Sequence, residues 1–206
     1  AAKTQFSVNA KGLKATLVVD APMTKRKMPS VRPKDGFFDA EVMLAGAAST
    51  LTYRNAGRQL VSKGRTYLDH SRSTAKMAEL ATAVYRVRAM GSQTTIFQVS
   101  TGPLGKRGWV YNTGMTGLSP LQKSEIQINA SDKTPSISIN AASGIKANVK
   151  TKALLYRYRP VESYGMMGRL ATSVIGNPET ATFLVDVTLA DGTVQRAVME
   201  RTLANP

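Results

Sequence analysis

Tyr85-Arg86-Val87-Arg88-Ala89-Met90 alternates apolar and charged side chains, and that alternation limits the fold more than any other stretch of the chain. Extended backbone sends successive side chains to opposite faces, so Tyr85, Val87 and Ala89 share one face of a sheet while Arg86 and Arg88 share the other. Leu51–Arg54, Arg58–Ser62, Arg65–Leu68, Thr94–Ser100 and Gly108–Tyr111 read as further short strands. Asn55-Ala56-Gly57, Lys63-Gly64 and Gly102-Pro103-Leu104-Gly105 read as the turns between them. One helix interrupts the series: Ser73 caps a segment reaching about Ala83, in which Met77, Leu80, Ala81 and Val84 fall at i, i+3, i+4 and i+7. Short strands with Gly-rich turns predict a mainly-β, antiparallel fold with one or two short helices, built as two small SH3-like or sandwich-like modules.

At 206 residues there is enough chain for one large domain or two small ones, each with a core. Residues 1–47 form an N-terminal basic β segment and loop. Phe6-Ser7-Val8 and Leu13–Val19 are its strands, and Pro22, Pro29 and Pro33 hold Lys25-Arg26-Lys27 in an exposed loop. Asp39–Ala48 reads as a short helix capped by Asp39. Residues 48–115 are the β module described above. Residues 116–149 alternate as Ile126-Gln127-Ile128-Asn129 and Ser136-Ile137-Ser138-Ile139-Asn140, followed by a strand from Ile145 to Lys150. They read as an exposed hairpin connection, turned through Ser131–Pro135. Residues 150–206 read as a degenerate second copy of the module. Leu154–Arg157 echoes Leu51–Arg54, Thr182–Val185 echoes Ile96–Val99, and Thr193–Met199 replaces the Lys106–Tyr111 strand.

Charge points to a partner class. The chain carries 28 Lys and Arg against 13 Asp and Glu, a formal net charge of +15. Over half of that excess lies within residues 51–115. Such a field attracts polyanions: nucleic acid, an anionic membrane, or phosphate-bearing wall polymers such as teichoic acids. The absence of cysteine excludes disulfides, thiolate metal sites and Cys nucleophiles. No apolar run approaches the roughly 20 residues that span a bilayer. The opening Ala1-Ala2-Lys3 reads either as a processed export product or as a trimmed chain.

Catalytic constellations are missing. His70 is the single histidine, and Asp69-His70-Ser71 are neighbours along the chain, so they do not converge as a triad requires. One histidine and scattered carboxylates leave no transition-metal site, and no cofactor is expected. The reading is of a protein that is not an enzyme.

Binding residues are easier to assign. Arg86 and Arg88 share a strand face, and Lys106 and Arg107 sit in the turn that leads to Trp109 and Tyr111. If those strands are neighbours, four cations line one surface beside two aromatic rings, suited to phosphates and to sugar or base faces. Tyr156-Arg157-Tyr158-Arg159 repeats that alternation, and Tyr156, Arg157 and Arg159 join the polymer-binding set. A second arrangement puts Trp109, Tyr85 and Phe97 in the core and leaves the arginines as a solvated face.

Ser73–Ala81 with its Lys-Met-Ala-Glu-Leu-Ala run, Tyr85-Arg86-Val87, Phe97-Gln98-Val99 and Gly105-Lys106-Arg107-Gly108-Trp109-Val110-Tyr111 together resemble the wall-binding repeat of lactobacillar surface-layer (S-layer) proteins. The resemblance covers residues 48–115 well and 150–203 poorly. It implies a secreted protein of the cell wall that holds anionic or neutral secondary wall polymers non-covalently and self-associates into a lattice. Arg86, Lys106, Arg107, Trp109 and Tyr111 occupy the matched motif. Val198-Met199-Glu200 stands where the second copy would carry Trp-Val-Tyr. The alternative is a nucleic-acid-binding or viral structural protein using the same basic, aromatic-bearing surface.

Overall fold

The protein is described by a computed structural model, which covers residues 2–10, 12–34, 36–160 and 178–204. Among the described residues the chain is mainly β, with antiparallel sheets and one short α-helix, as its alternation predicts. Contacts divide it into two units, one of Ala1–Met28 with Ala40–Ser71, the other of Pro29–Asp39 with Arg72–Pro206. No helix among the described residues is long and apolar enough to cross a membrane.

The first five strands are β1 (Thr4–Ala10), β2 (Leu13–Val19), β3 (Arg26–Lys27), β4 (Phe38–Asn55) and β5 (Arg58–Ser73). They form a half-barrel sheet in the order β1-β2-β4-β3, with β5 also paired to β4. The β4–β5 hairpin turns where the sequence places it, at Asn55-Ala56-Gly57. Ala56 (φ 47°) and Gly57 (φ 77°) both adopt positive φ, the geometry whose twist matches two antiparallel strands. Lys63-Gly64 is not a turn, because β5 runs through it unbroken.

Residues 39–48 correct the helical reading. Val42, Leu44 and Gly46 are buried while Glu41, Met43 and Ala45 are half-exposed, the period of two of a strand, so the segment belongs to β4. Asp39 caps nothing. It accepts hydrogen bonds from Ser30 (2.9 Å) and Arg32 (2.8 Å), and Arg72 lies 3.6 Å away. The helix expected over 73–83 shrinks to one turn, α1 (Met77–Leu80). The Ser73 hydroxyl bonds the carbonyl oxygens of Phe37 and Ala75 instead of capping, and Ala81 is already extended.

The remaining strands are β6 (Ala83–Met90), β7 (Thr94–Thr101), β8 (Arg107–Asn112), β9 (Ser119–Leu121), β10 (Ile126–Asn129), β11 (Ser136–Asn140), β12 (Lys146–Tyr158), β13 (Glu179–Leu189) and β14 (Val194–Leu203). They form one nine-stranded sheet ordered β10-β11-β12-β13-β14-β6-β7-β8-β9. Its two edge strands, β9 and β10, are consecutive in sequence and joined through a single 3-10 turn, Lys123–Glu125. From Leu121 to Ile126 the chain spans at most about 17 Å. A nine-stranded sheet whose outer edges are tied that closely must curl nearly shut, and the result is barrel-like.

The barrel interior is filled by the alternation that opened the sequence. Tyr85, Val87 and Ala89 point inward with Phe97, Val99, Val110, Ala181, Phe183, Val185, Val187, Ala197 and Met199. Ile126, Ile137 and Ile139 join them, so the 116–149 segment supplies core as well as surface. β12 runs without a break across residue 150, and strong bending occurs within it. Its register with β13 shifts between Thr151 and Ala153 and again between Leu154 and Tyr156. The two Leu-x-Tyr-Arg cues are not equivalent in space: Leu51–Arg54 lies in β4 of the half-barrel and Leu154–Arg157 in β12 of the nine-stranded sheet.

Gly108, in the Lys-Arg-Gly-Trp run, is required by close approach. A Cβ there would overlap the Gln98 carbonyl oxygen and stand 3.0 Å from Val99 Cγ1 across the β7–β8 ladder. Gly108→Ala is expected to lower unfolding stability by about 1–3 kcal/mol. A urea titration followed by the fluorescence of Trp109 measures it.

Candidate functional site

Three successive interior positions on β14 are Met199, Arg201 and Leu203. The first packs in the apolar core, but the second is an arginine 2% exposed. Cross-strand register sets its surroundings. Arg201 stands opposite Tyr85 of β6 on one side and Ala181 of β13 on the other, and Ala181 in turn stands opposite Arg157 of β12. One layer nearer the barrel end, Leu203 stands between Ala83 and Glu179, and Ala83 opposite Thr101. This end of the barrel is therefore ringed by Thr101, Ala83, Leu203 and Glu179 above a layer containing Tyr85, Arg201 and Arg157.

Glu179 is 1% exposed and ionised, and three arginines explain how. Burial pushes its carboxyl pKa up. Hydrogen bonds from Arg159 and Arg201 and the charge of Arg157 outweigh that, and the net displacement is downward. Arg201 Nη2 donates to Glu179 Oε1 at 2.9 Å, and Arg159 Nε donates to Oε2 at 2.7 Å. Arg157 Nε stands 3.6 Å from Oε1. Asp132, from the β10–β11 connection, completes the cluster by accepting from Arg201 Nη2 and Arg157 Nη2, each at 2.9 Å. Those bonds lower its pKa, the Arg201 contact most. Arg201 Nη1 also donates to the carbonyl oxygens of Ser131 and Asp132, both at 3.3 Å, and its guanidinium lies 5.4 Å from the Phe183 ring centroid.

Above this cluster lies a cavity of about 550 Å³. Its wall includes Tyr85, Lys106, Asp132, Arg159, Glu179 and Arg201 among charged and phenolic groups, and Ala83, Ile128 and Leu203 among apolar ones. Three arginines and Lys106 face two carboxylates, so the end of the barrel carries an excess of two positive charges. The Nε atoms of Arg157 and Arg201 are buried donors without an acceptor among the described residues. Burial raises the pKa of the Tyr85 phenol, opposed by the Arg201 charge, so at neutral pH it is a hydrogen-bond donor.

The residues singled out from sequence separate into groups. Arg157, Arg159 and Lys106 converge here. Arg86 does not: on the outer sheet face it donates to Glu200 at 2.8 Å and to Gln98 at 3.1 Å, its neighbours across β14 and β7. Arg88 stands further along that outer face, opposite Val198 and Ile96. β7 separates β6 from β8, so the four cations do not form one row. Arg107 donates to the Leu104 carbonyl oxygen at 2.7 Å. Tyr85 and Phe97 are in the core, whereas Trp109 and Tyr111, 4% and 8% exposed, lie on the face of Arg86 and Arg88, opposite Gln98 and Ile96. Tyr156 is 59% exposed and stacks on Tyr158 with ring centroids 6.5 Å apart. Sequence reasoning passed over Arg201, Glu179 and Asp132 as site residues, and placed Tyr85 on the inward face without linking it to a site. The signal for Arg201 was present in the inward series Gln195, Ala197, Met199, Arg201 and Leu203.

No family model and no curated protein sequence matches the chain. Solved structures resemble it in fold. An AttH-like protein from Nitrosomonas europaea aligns with a TM-score of 0.63 at 10% identity, over 97% of this chain and 65% of that one. Kievitone hydratase from Nectria haematococca aligns with a TM-score of 0.58 at 8% identity, over 98% of this chain and 64% of that one. The chain thus spans just under two thirds of either structure, and at these identities the likeness is one of fold.

Removing Arg201 leaves Glu179 buried beside fewer cations. Arg201→Met is expected to cost about 3–5 kcal/mol in unfolding free energy, measured by urea titration at pH 7. Because Glu179 and Asp132 have lowered native pKa values, their stabilisation is complete above the unfolded carboxylate range, near pH 4. It is lost as pH falls through the lower native values. Glu179→Gln is expected to flatten that acid limb in a series of melting temperatures from pH 7 to pH 2.

Proposed function

We propose that the protein is a non-catalytic binding protein whose nine-stranded sheet takes a small amphipathic molecule into its arginine-lined end. The observation that carries the reading is the cavity of about 550 Å³, whose wall sets apolar residues beside a fixed, buried ion cluster. Sites for small organic ligands are commonly concave, of this size and mostly apolar, with a few polar groups that fix orientation. Strands carry seven of the wall residues, among them Tyr85, Glu179, Arg201 and Leu203, while Lys106, Asp132 and Arg159 stand on the connections beside them. Glu179 is not free to act as a base, since both of its oxygens already accept from arginines. The likeness to a hydratase carries fold and no activity.

A second reading is attachment to a secondary wall polymer, as the resemblance to S-layer repeats implies. The observation favouring it is the exposed Tyr156–Tyr158 stack, a flat aromatic platform of the kind that carbohydrate rings cover. Retention on isolated cell-wall sacculi that falls with Tyr156→Ala supports this second use. Failure to bind sacculi together with DNA binding that weakens steeply with salt favours the nucleic-acid alternative.

The cavity reading is tested with an environment-sensitive apolar dye such as anilinonaphthalene sulfonate. The native protein is expected to bind it saturably, and Leu203→Trp, which fills the cavity, is expected to lower affinity about tenfold or more while the far-UV circular dichroism is unchanged. Equal binding by the variant overturns the reading.

A further inference from the structure

The cavity wall is not neutral in its hydrogen-bonding needs. Of its cations, Arg201 and Arg159 are engaged with Glu179, and Arg201 also with Asp132. Lys106 is different: it lines the cavity and has no hydrogen-bond or ion-pair partner among the described residues. The Tyr85 hydroxyl is likewise without a partner among them, although the residue is 1% exposed. Its hydroxyl oxygen is not among the buried unpartnered side-chain atoms, so it is open to the cavity that Tyr85 lines and free to bond what enters. Both groups donate. Lys106 has no acceptor capacity, and Tyr85 remains protonated because burial raises its pKa.

The wall's unused capacity is therefore for an acceptor, and its excess of one positive charge, with Arg157 in the cluster behind it, calls for one that is negatively charged. The two carboxylates do not supply it, since each is already held by two or more arginines. Ile128, Ala83 and Leu203 on the same wall need an apolar partner. One molecule meets both needs when an anionic head is joined to an apolar body.

We infer that the ligand of this cavity is an organic carboxylate with an apolar body, its head received by Lys106 and the Tyr85 hydroxyl at the edge of the Arg201–Glu179 cluster. This rests on the cavity being the binding site, and it adds the chemical class and the two residues that read it. Charge-assisted hydrogen bonds to a carboxylate discriminate against an ester, which accepts more weakly and carries no charge. The arginines act behind them by holding the cluster and its positive field in place.

The test compares cis-parinaric acid, a fluorescent polyene fatty acid, with its methyl ester, on the full chain at neutral pH. The acid is expected to bind about tenfold or more tightly than the ester. Lys106→Met is expected to remove most of that preference by weakening the acid alone, and Tyr85→Phe to reduce it, with both variants keeping the native melting transition. Equal affinity for acid and ester in the native protein, with both lost in Leu203→Trp, overturns the carboxylate assignment and leaves the cavity reading standing. If neither probe binds, or if Leu203→Trp binds both as the native protein does, the cavity reading fails and the assignment with it. A preference for the acid that survives both Lys106→Met and Tyr85→Phe overturns the assignment of those residues as its readers.

Discussion

A buried ion pair organises the nine-stranded sheet. Glu179 opens β13 and Arg201 lies near the close of β14, and the antiparallel register of those strands puts both inside the barrel within hydrogen-bond reach. Desolvating two charges is expensive, and their mutual attraction offsets that only when their remaining donors and lone pairs are also met. Arg159 and Arg157 from the end of β12 meet the second oxygen and the charge of Glu179. Asp132 and the carbonyl oxygens of the β10–β11 connection meet Arg201. Three separate stretches of chain are thereby committed to one end of the barrel. The cavity lies at this end, beside the cluster and above the apolar layers that hold Phe97 and Phe183.

The same alternation that builds the core builds this site. On β6, Tyr85, Val87 and Ala89 face inward as the sequence pattern dictates, and Arg86 and Arg88 face outward. Arg86 then spends its charge on Glu200 across the sheet, a pairing that stiffens the outer face and takes that arginine out of any cationic surface. The chain's large positive excess is thus distributed in three ways: into cross-strand pairs, into the buried cluster, and into strands of the half-barrel such as β5, with its exposed Arg58 and Lys63. Net charge alone describes a field; the pairing describes which charges remain for a ligand.

How much of this could be read beforehand depended on sequence distance. The strand alternation at Tyr85–Met90, the hairpin at Asn55-Ala56-Gly57 and the core position of Tyr85 and Phe97 were legible because each rests on neighbours a few residues apart. Asp39–Ala48 misled because its Ala- and Gly-rich composition suits either a helix or a strand, and pairing of Glu41 and Val42 with β3 decided the matter. Ser73–Ala83 misled in the opposite sense, since a real helical period yielded to the β6 ladder. Arg157 and Arg159 were singled out from the Tyr-Arg alternation, yet their partners were invisible. Asp132, Glu179 and Arg201 lie up to 69 residues apart and meet only through the register of β12, β13 and β14.

The central claim is that the arginine-lined end of the nine-stranded sheet is where this protein holds its ligand. The most direct measurement is the change in backbone amide NMR shifts when an aliphatic carboxylate is titrated into the uniformly 15N-labelled chain. The account predicts that the largest saturable shifts fall on Thr82, Ala83, Tyr85, Thr101, Lys106, Ile128, Arg201 and Leu203, at both sides of one cavity. Shifts confined to β1–β5, or to the outer face around Arg86 and Glu200, with that wall unchanged, would contradict it.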